Sequence, residues 1–178
     1  MFNNPENKSY FKTIYKYDDK GNVIEETAYN EQNMDYQKSY AYRYNDKGKI
    51  LHKIKYDVGV KDAEWTYKYD KKGNLTEEKL HSRNKDFNNN KLTHIYDEKG
   101  NEIERSFYKS DSLYTKWTYA YDNQARLTEA GGYYPDGKLA FKTTYKYELD
   151  EQGNWIKLTI FDDNRPDYIL ERKIEYYK

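Results

Sequence analysis

The chain has no cysteine, only three prolines and few aliphatic residues among its 178 positions. The absence of cysteine excludes disulfides, thiolate nucleophiles and cysteine-ligated metal centres, and it is compatible with any compartment. Leu, Ile, Val and Phe make up 29 residues, a share typical of disordered chains only when the net charge is also large. The formal net charge is zero and there are 23 tyrosines, so the sequence predicts an ordered, aromatic-rich protein.

The chain also lacks an excess of charge of either sign and any long apolar run. Its 31 basic and 31 acidic residues are interleaved, which argues against a nucleic-acid partner bound by phosphate neutralisation. No run of about 18 apolar residues occurs, and Met1 to Tyr10 contain no apolar signal core. Charges such as Lys12, Lys16 and Arg43 alternate with aromatic residues, so we expect no membrane insertion.

A repeat organises the sequence from end to end. Each copy reads Tyr-x-Tyr-Asp-x-x-Gly-Asn followed by an apolar residue, with some variation, and six copies are present at spacings of 27, 25, 27, 25 and 28 residues. The anchor positions, which hold Gly in all copies but one, are Gly21, Gly48, Gly73, Gly100, Ala125 and Gly153.

Each copy is predicted to form one β-hairpin. Aromatic and polar residues alternate in the arm before the anchor, which is the period of a strand, and Tyr, Trp and Thr favour strands. The segment 18–21 fits a type I turn followed by a left-handed residue, for which glycine is suited. Ala125 must either adopt that left-handed conformation or use another turn, so we expect the fifth hairpin to have the least regular tip.

The predicted fold class is all-β, with six tandem antiparallel hairpins and about 13 strands in a single domain, 1–178. The strands would form one coiled sheet or a closed, barrel-like repeat structure, since large open sheets tend to curl or close. A final arm, 168–178, would close the sheet on its first strand or cover an exposed edge. The approximate hairpin bounds are 8–35, 36–62, 63–90, 91–113, 114–140 and 141–167.

The repeat resembles the YD repeat of the RHS family. The resemblance rests on segments such as Tyr17 to Asn22, Tyr69 to Asn74 and Tyr96 to Asn101, and it extends over about 165 residues. It implies a short, free-standing bacterial member built as a β-sheet, located extracellularly or at the cell surface, with any leader absent from this chain; a cytoplasmic location stays open. The family's association with carbohydrate binding implies a glycan as one possible partner.

The residues most often used for chemistry do not form a recognisable site. His81 and His94 occupy positions held by aromatic residues in other copies, and His52 lies on a trailing arm, so we predict no metal site. The turn aspartates cap their own turns, and equivalent turns lie about 9.6 Å apart, too far for one calcium ion. No nucleophile or phosphate-binding motif is present, and Gly131 and Gly132 are predicted to form a bulge or bend. We therefore expect no enzyme activity and no cofactor.

Aromatic residues are the remaining candidates for binding. Those of the leading arms, which we call the aromatic ladder, include Trp65 and Trp117 and could stack on sugars, although the same residues could simply form the core. Aromatic residues predicted in the variable loops are better placed to contact a partner, because loops carry much of protein function. The candidate binding residues are Trp65, Trp117, Tyr36, Phe87, Tyr114 and Tyr134.

Two functions are compatible with this reading. In the first, the protein is a non-enzymatic surface or secreted module that binds a glycan or a protein. In the second, it is a structural or assembly subunit of a larger surface complex, held by an exposed strand.

Overall fold

The computed structural model describes residues 11–30 and 33–177, and for residues 33–36 only the backbone. The strands are β1 (Phe11–Tyr17), β2 (Val23–Asn30), β3 (Asn33–Tyr44), β4 (Ile50–Asp57), β5 (Val60–Tyr69), β6 (Leu75–Ser82), β7 (Asn90–Tyr96), β8 (Glu102–Lys109), β9 (Ser112–Tyr121), β10 (Leu127–Tyr133), β11 (Leu139–Leu149), β12 (Trp155–Asp162) and β13 (Arg165–Glu171). No helix occurs within the described ranges.

The strands form one sheet in sequence order, from β1 to β13. The predicted all-β class and strand number are confirmed, and the sheet is open, with β1 and β13 at its edges. The final arm pairs with β12 and does not close the sheet on β1. The final strand also begins earlier than the predicted residue 168. A tight turn at Asp163 and Asn164, both with positive φ, lets β13 begin at Arg165.

The predicted hairpin turns recur at all six anchors. In the first, the Gly21 amide donates to the Asp18 carbonyl at 3.0 Å, and the Asp18 amide donates to the Asn22 carbonyl at 2.9 Å. A side-chain oxygen of Asp18 also accepts from the Lys20 and Asn22 amides. The Asn22 side-chain amide donates to the other carboxylate oxygen at 2.9 Å. These bonds, above all that from the Asn22 side chain, hold the pKa of the Asp18 carboxyl below its ordinary value.

The fifth hairpin has the same tip as the others, contrary to the expectation of an irregular one. Ala125 takes the left-handed conformation at φ 60°, and its amide donates to the Asp122 carbonyl at 3.0 Å. The Asp122 carboxylate accepts from the Gln124 and Arg126 amides at 2.9 and 3.0 Å. The hydrogen bonds of the turn therefore impose the conformation even without glycine.

Two of the connections after the trailing arms are tight turns rather than loops. Two-residue turns with positive φ join β4 to β5 at Val58 and Gly59, and β8 to β9 at Ser110 and Asp111. Such turns match the twist of the strands they join. The longer loop 83–89 is present as predicted.

The chain divides into two compact units. The first comprises residues 1–91 with 109–111, and the second residues 92–108 with 112–178. Neither has a closed interior among the described residues, where Ala63, 5% exposed, is the one buried hydrophobic residue. The aromatic ladder is therefore half-buried on one face of each unit's sheet.

Candidate ligand-binding surface

The aromatic ladder of the first unit lies on one face of strands β3 to β5. Tyr40 and Tyr42 project from β3, and Trp65 from β5, and β4 between them contributes Lys53 and Lys55. Strand pairing places Lys53 directly between Tyr42 and Trp65, because side chains opposite each other across an antiparallel pair share a face. We call this group, Tyr40, Tyr42, Lys53 and Trp65, the Lys53 cluster.

The ammonium group of Lys53 is surrounded by aromatic rings. Its Nζ lies 4.7 Å from the ring centroid of Tyr40, 5.9 Å from that of Tyr42 and 5.2 Å from that of Trp65. Each distance is within the range of a cation–π interaction. Lys53 forms no ion pair with a carboxylate of the described residues, whereas the neighbouring Lys55 pairs with Asp62.

Two carboxylates accompany the aromatic rings on this face. Tyr42 donates a hydrogen bond to Glu26 at 3.3 Å, and Tyr67 pairs across strands with Glu78. Burial and the Glu26 charge raise the pKa of Tyr42 to about 12. Burial and the Glu78 charge raise that of Tyr67 to about 12 as well. Both hydroxyls therefore keep their protons at neutral pH and act as hydrogen-bond donors or acceptors.

In the second unit, Trp117 lies half-buried on the ladder of β9 and pairs across strands with Gly132. Gly132 in turn pairs with Phe141 of β11, and a Cβ built on Gly132 would lie 2.2 Å from the Phe141 ring. The Phe141 ring therefore packs against the backbone of Gly132. The predicted bulge is present, as a shift in register between Gly132 and Tyr133.

The other candidate binding residues do not all lie in loops. Phe87 is 54% exposed in the loop 83–89, and Tyr134 is 57% exposed in the turn that follows β10. Tyr114 instead lies in β9, with its ring edge-on to Phe107 at 5.9 Å, because the preceding turn needs only two residues. Tyr36 lies in β3, and its side chain is outside the described residues.

The histidines are engaged locally. His94 stacks on Tyr96 with ring centroids 6.4 Å apart, as expected for a residue that replaces a ladder aromatic. Its Nδ1 lies 2.5 Å from Glu102, and His52 contacts Glu64 at 3.0 Å. In the ranges 11–30 and 33–177, no three potential metal-ligating side chains lie together.

The chain has similarity to known proteins in structure but not in sequence families. No family model matches the sequence, and no curated protein matches it. The crystal structure of TcdB2-TccC3 is similar in fold, with a TM-score of 0.60 and 18% identity over 84% of this chain and 8% of that one. The Tc holotoxin pore of Photorhabdus luminescens matches 89% of this chain and 9% of its own, at 18% identity and a TM-score of 0.46.

The comparison therefore shows the fold alone. The chain corresponds to a β-sheet segment of TcdB2-TccC3, and it spans less than a tenth of the length of that protein. Among the described residues there is also no helix with the length and apolar character needed to span a bilayer.

Proposed function

We propose that this protein is a non-enzymatic binding module of the YD-repeat type that recognises a glycan or a protein at the cell surface or after secretion. The observation that carries the proposal is the Lys53 cluster, in which a cation that has no ion pair within the described part of the chain lies among three half-buried rings. Protein sites for sugars combine ring faces for stacking with polar groups for the hydroxyls. The cluster supplies Trp65 for the first role and Lys53 for the second, and Glu26, which accepts from Tyr42, adds a carboxylate beside it.

The fold neighbour is consistent with a protein partner, because the structure of TcdB2-TccC3 joins two named proteins. The exposed residues Phe87 and Tyr134 would then contribute contacts outside the ladder.

A glycan array followed by titration of the hits, monitored by tryptophan fluorescence and thermal shift, tests this proposal. We expect Trp65→Leu to weaken binding at least about tenfold, since aromatic anchors dominate binding energies. Lys53→Met keeps the side-chain stem and removes the charge, and it should also weaken binding. The matched control is Lys68→Met, because Lys68 is 69% exposed and pairs with Glu77 on the opposite face of the same sheet.

The proposal would be overturned if no saccharide or protein bound saturably, or if Lys68→Met reduced binding as much as Lys53→Met. Circular dichroism of each variant separates a lost contact from a lost fold.

A second candidate function is an assembly subunit that pairs through a sheet edge. The observation that favours it is strand β1, whose seven residues are all exposed. In this case the partner would be protein, and the Lys53 cluster would only stabilise the sheet.

A further inference from the structure

Successive hairpins contact each other through a recurring tyrosine hydrogen bond. The tyrosine four residues before an anchor donates its hydroxyl to the backbone carbonyl two residues after the preceding anchor. The observed bonds are Tyr44 to Val23 at 2.7 Å, Tyr69 to Ile50 at 2.8 Å and Tyr121 to Glu102 at 2.9 Å. At these three junctions the tyrosine thus contacts the start of the preceding hairpin's trailing strand.

A lysine adds a second contact at the hairpin tips. Lys49, directly after the anchor Gly48, donates to the carbonyl of Gly73 in the next tip at 2.7 Å. The two contacts run in opposite directions, since the tyrosine bonds to the preceding hairpin and the lysine to the following one. A neighbouring hairpin therefore needs a backbone carbonyl that is placed to accept one of these hydrogen bonds.

For the last hairpin, the residues that follow it supply the contacts that a further hairpin would otherwise make. Trp155 is two residues after the anchor Gly153, and its carbonyl accepts from Arg172 Nε at 2.5 Å, in place of a ladder tyrosine. The guanidinium also lies over the Trp155 ring at 3.9 Å. Tyr176 donates to the turn carboxylate of Asp150 at 2.5 Å. Residues 165–177 therefore form a cap on this end of the sheet.

The cap is also poorly suited to pairing with a further strand. Strand β13 contains Pro166, which has no amide hydrogen to donate, and carries charges of both signs. Its pairing with β12 is interrupted by a shift in register between Ile160 and Phe161.

The opposite edge has neither the proline nor the charges of both signs, although its pairing with β2 also shifts in register, between Lys16 and Tyr17. Strand β1 contains no proline and no acidic residue, and Ile14, Tyr15 and Tyr17 are 45%, 47% and 58% exposed. Its two lysines extend toward the neighbouring strand β2. Lys16 pairs with Glu25 at 2.9 Å, and Lys12 lies over the Tyr29 ring at 6.0 Å. They therefore leave the edge itself open.

Tyr17 is the residue of this edge that is placed to form the hydrogen bond to a neighbouring hairpin. It lies four residues before the anchor Gly21, the position from which Tyr44, Tyr69 and Tyr121 donate to the preceding hairpin. Its hydroxyl makes no hydrogen bond within the part of the chain that the structure describes, and its ring lies 6.5 Å from that of Tyr15.

We propose that the β1 edge binds the trailing strand of a hairpin of the same repeat type, carried by another polypeptide chain. The bound strand lies antiparallel to β1 and accepts the Tyr17 hydroxyl at the carbonyl two residues after its own anchor. A lysine next to that anchor reaches the Gly21 carbonyl, as Lys49 reaches Gly73. The inference rests on the assembly function, the second candidate above, and it names the kind of partner.

A second copy of this chain does not offer the required strand. Every trailing strand, from β2 to β12, has neighbours on both sides in the sheet. Pairing of β1 with β1 of another copy, centred on Ile14, would place Lys12 opposite Lys16, and like charges directly opposite are destabilising. The proposed partner is therefore a hairpin with an uncovered trailing strand and not a second copy of this chain.

A synthetic peptide of residues 40–57, which contains the second hairpin and its trailing strand, serves as the probe. It is titrated into the full-length protein, and amide hydrogen exchange of residues 11–17 is followed. We expect slower exchange in β1 and saturable binding. Tyr17→Phe should weaken the affinity about two- to tenfold, which corresponds to the loss of one neutral hydrogen bond. A peptide with Ile54→Pro, which disrupts the trailing strand, should not bind.

Tyr44→Phe is the matched control, because it removes the same hydroxyl from an internal hairpin; it should leave peptide affinity unchanged. The inference is overturned if β1 exchanges as slowly as β2 in the free protein, if the peptide binds equally to Tyr17→Phe, or if the protein forms β1-dependent dimers. A natural protein partner that is retained by Tyr17→Phe would overturn the inference and leave the assembly function standing. Saccharide binding at the Lys53 cluster is measured independently of all these outcomes.

Discussion

The hydroxyl of Tyr44 donates a hydrogen bond of 2.7 Å to the backbone carbonyl of Val23, one hairpin earlier in the chain. The bond joins recurring features of two repeat copies, a ladder tyrosine and the residue that follows a Gly-Asn turn. A sheet with few buried aliphatic side chains depends on such contacts, because little apolar surface is hidden elsewhere.

Removing this hydroxyl should lower the stability of the protein. We expect Tyr44→Phe to reduce the free energy of unfolding by about 0.5–1.5 kcal/mol, the usual net value of one hydrogen bond. Urea denaturation followed by circular dichroism measures the change. Tyr17→Phe is the control, since its hydroxyl has no acceptor among the described residues, and an equal loss in both variants would contradict the explanation.

The anchor of the fifth hairpin should be a site of stabilisation. Ala125 holds φ at 60°, a conformation that costs an L-residue roughly 1–2 kcal/mol relative to right-handed backbone. Ala125→Gly removes this strain but increases the freedom of the unfolded chain, so the expected net gain is about 0.5–1 kcal/mol. Thermal and chemical unfolding should both show it.

The converse substitution provides the comparison. Gly100 has φ at 91° in the equivalent turn, and Gly100→Ala should destabilise the protein. If Ala125→Gly had no effect or lowered stability, the strain assigned to Ala125 would be absent.

Much of this fold follows from the sequence because its determinants are local. The anchor glycines, the turn aspartates and the alternation of aromatic residues predict the hairpins and the strand number. The two-residue turns at Val58–Gly59 and Ser110–Asp111 could not be predicted in this way, because neither pair has the Asn-Gly or Asp-Gly sequence typical of such turns. For that reason Tyr114 was expected in a loop and lies in a strand.

The candidate site was predictable only in part. Trp65 stands out in the sequence as a ladder residue, but Lys53 does not, because its place among three rings depends on the register of β4 against both neighbours. Lys53 lies five residues after its anchor, Gly48. A comparison of this position among the six copies could have identified Lys53. This position holds Glu26, Lys53, Glu78, Arg105, Ala130 and Leu158.

Gly132 should be sensitive to any added side chain. A Cβ at this position would lie 2.2 Å from the Phe141 ring, so Gly132→Ala must displace the ring from the backbone. Since Phe141 is 41% exposed and can move, we expect a loss of about 1–3 kcal/mol, as for overpacking. Gly131→Ala is the matched control, because its nearest contacts are at 3.3 Å. Equal losses in chemical denaturation would show that the Phe141 contact is not the cause.

Acid should weaken the second unit through Glu102. Its carboxylate accepts from Arg105 at 2.6 Å and contacts His94 Nδ1 at 2.5 Å. Burial opposes ionisation, but these hydrogen bonds and charges outweigh it and hold the pKa of Glu102 below its ordinary value of 4.5. Because the pKa is lower in the folded state, the stabilisation is present above pH 4.5 and is lost as the pH falls through the folded-state value.

Glu102→Gln tests this dependence, because it removes the charge and keeps the shape of the side chain. The variant should be less stable than the parent at neutral pH by about 1–3 kcal/mol, the cost of weakening hydrogen bonds to a charged group. The difference should shrink as the pH falls below 4.5 and through the folded-state pKa, where the parent carboxylate is also being protonated. Urea denaturation across this range measures it, and a difference that stayed constant with pH would mean that Glu102 acts through packing rather than charge.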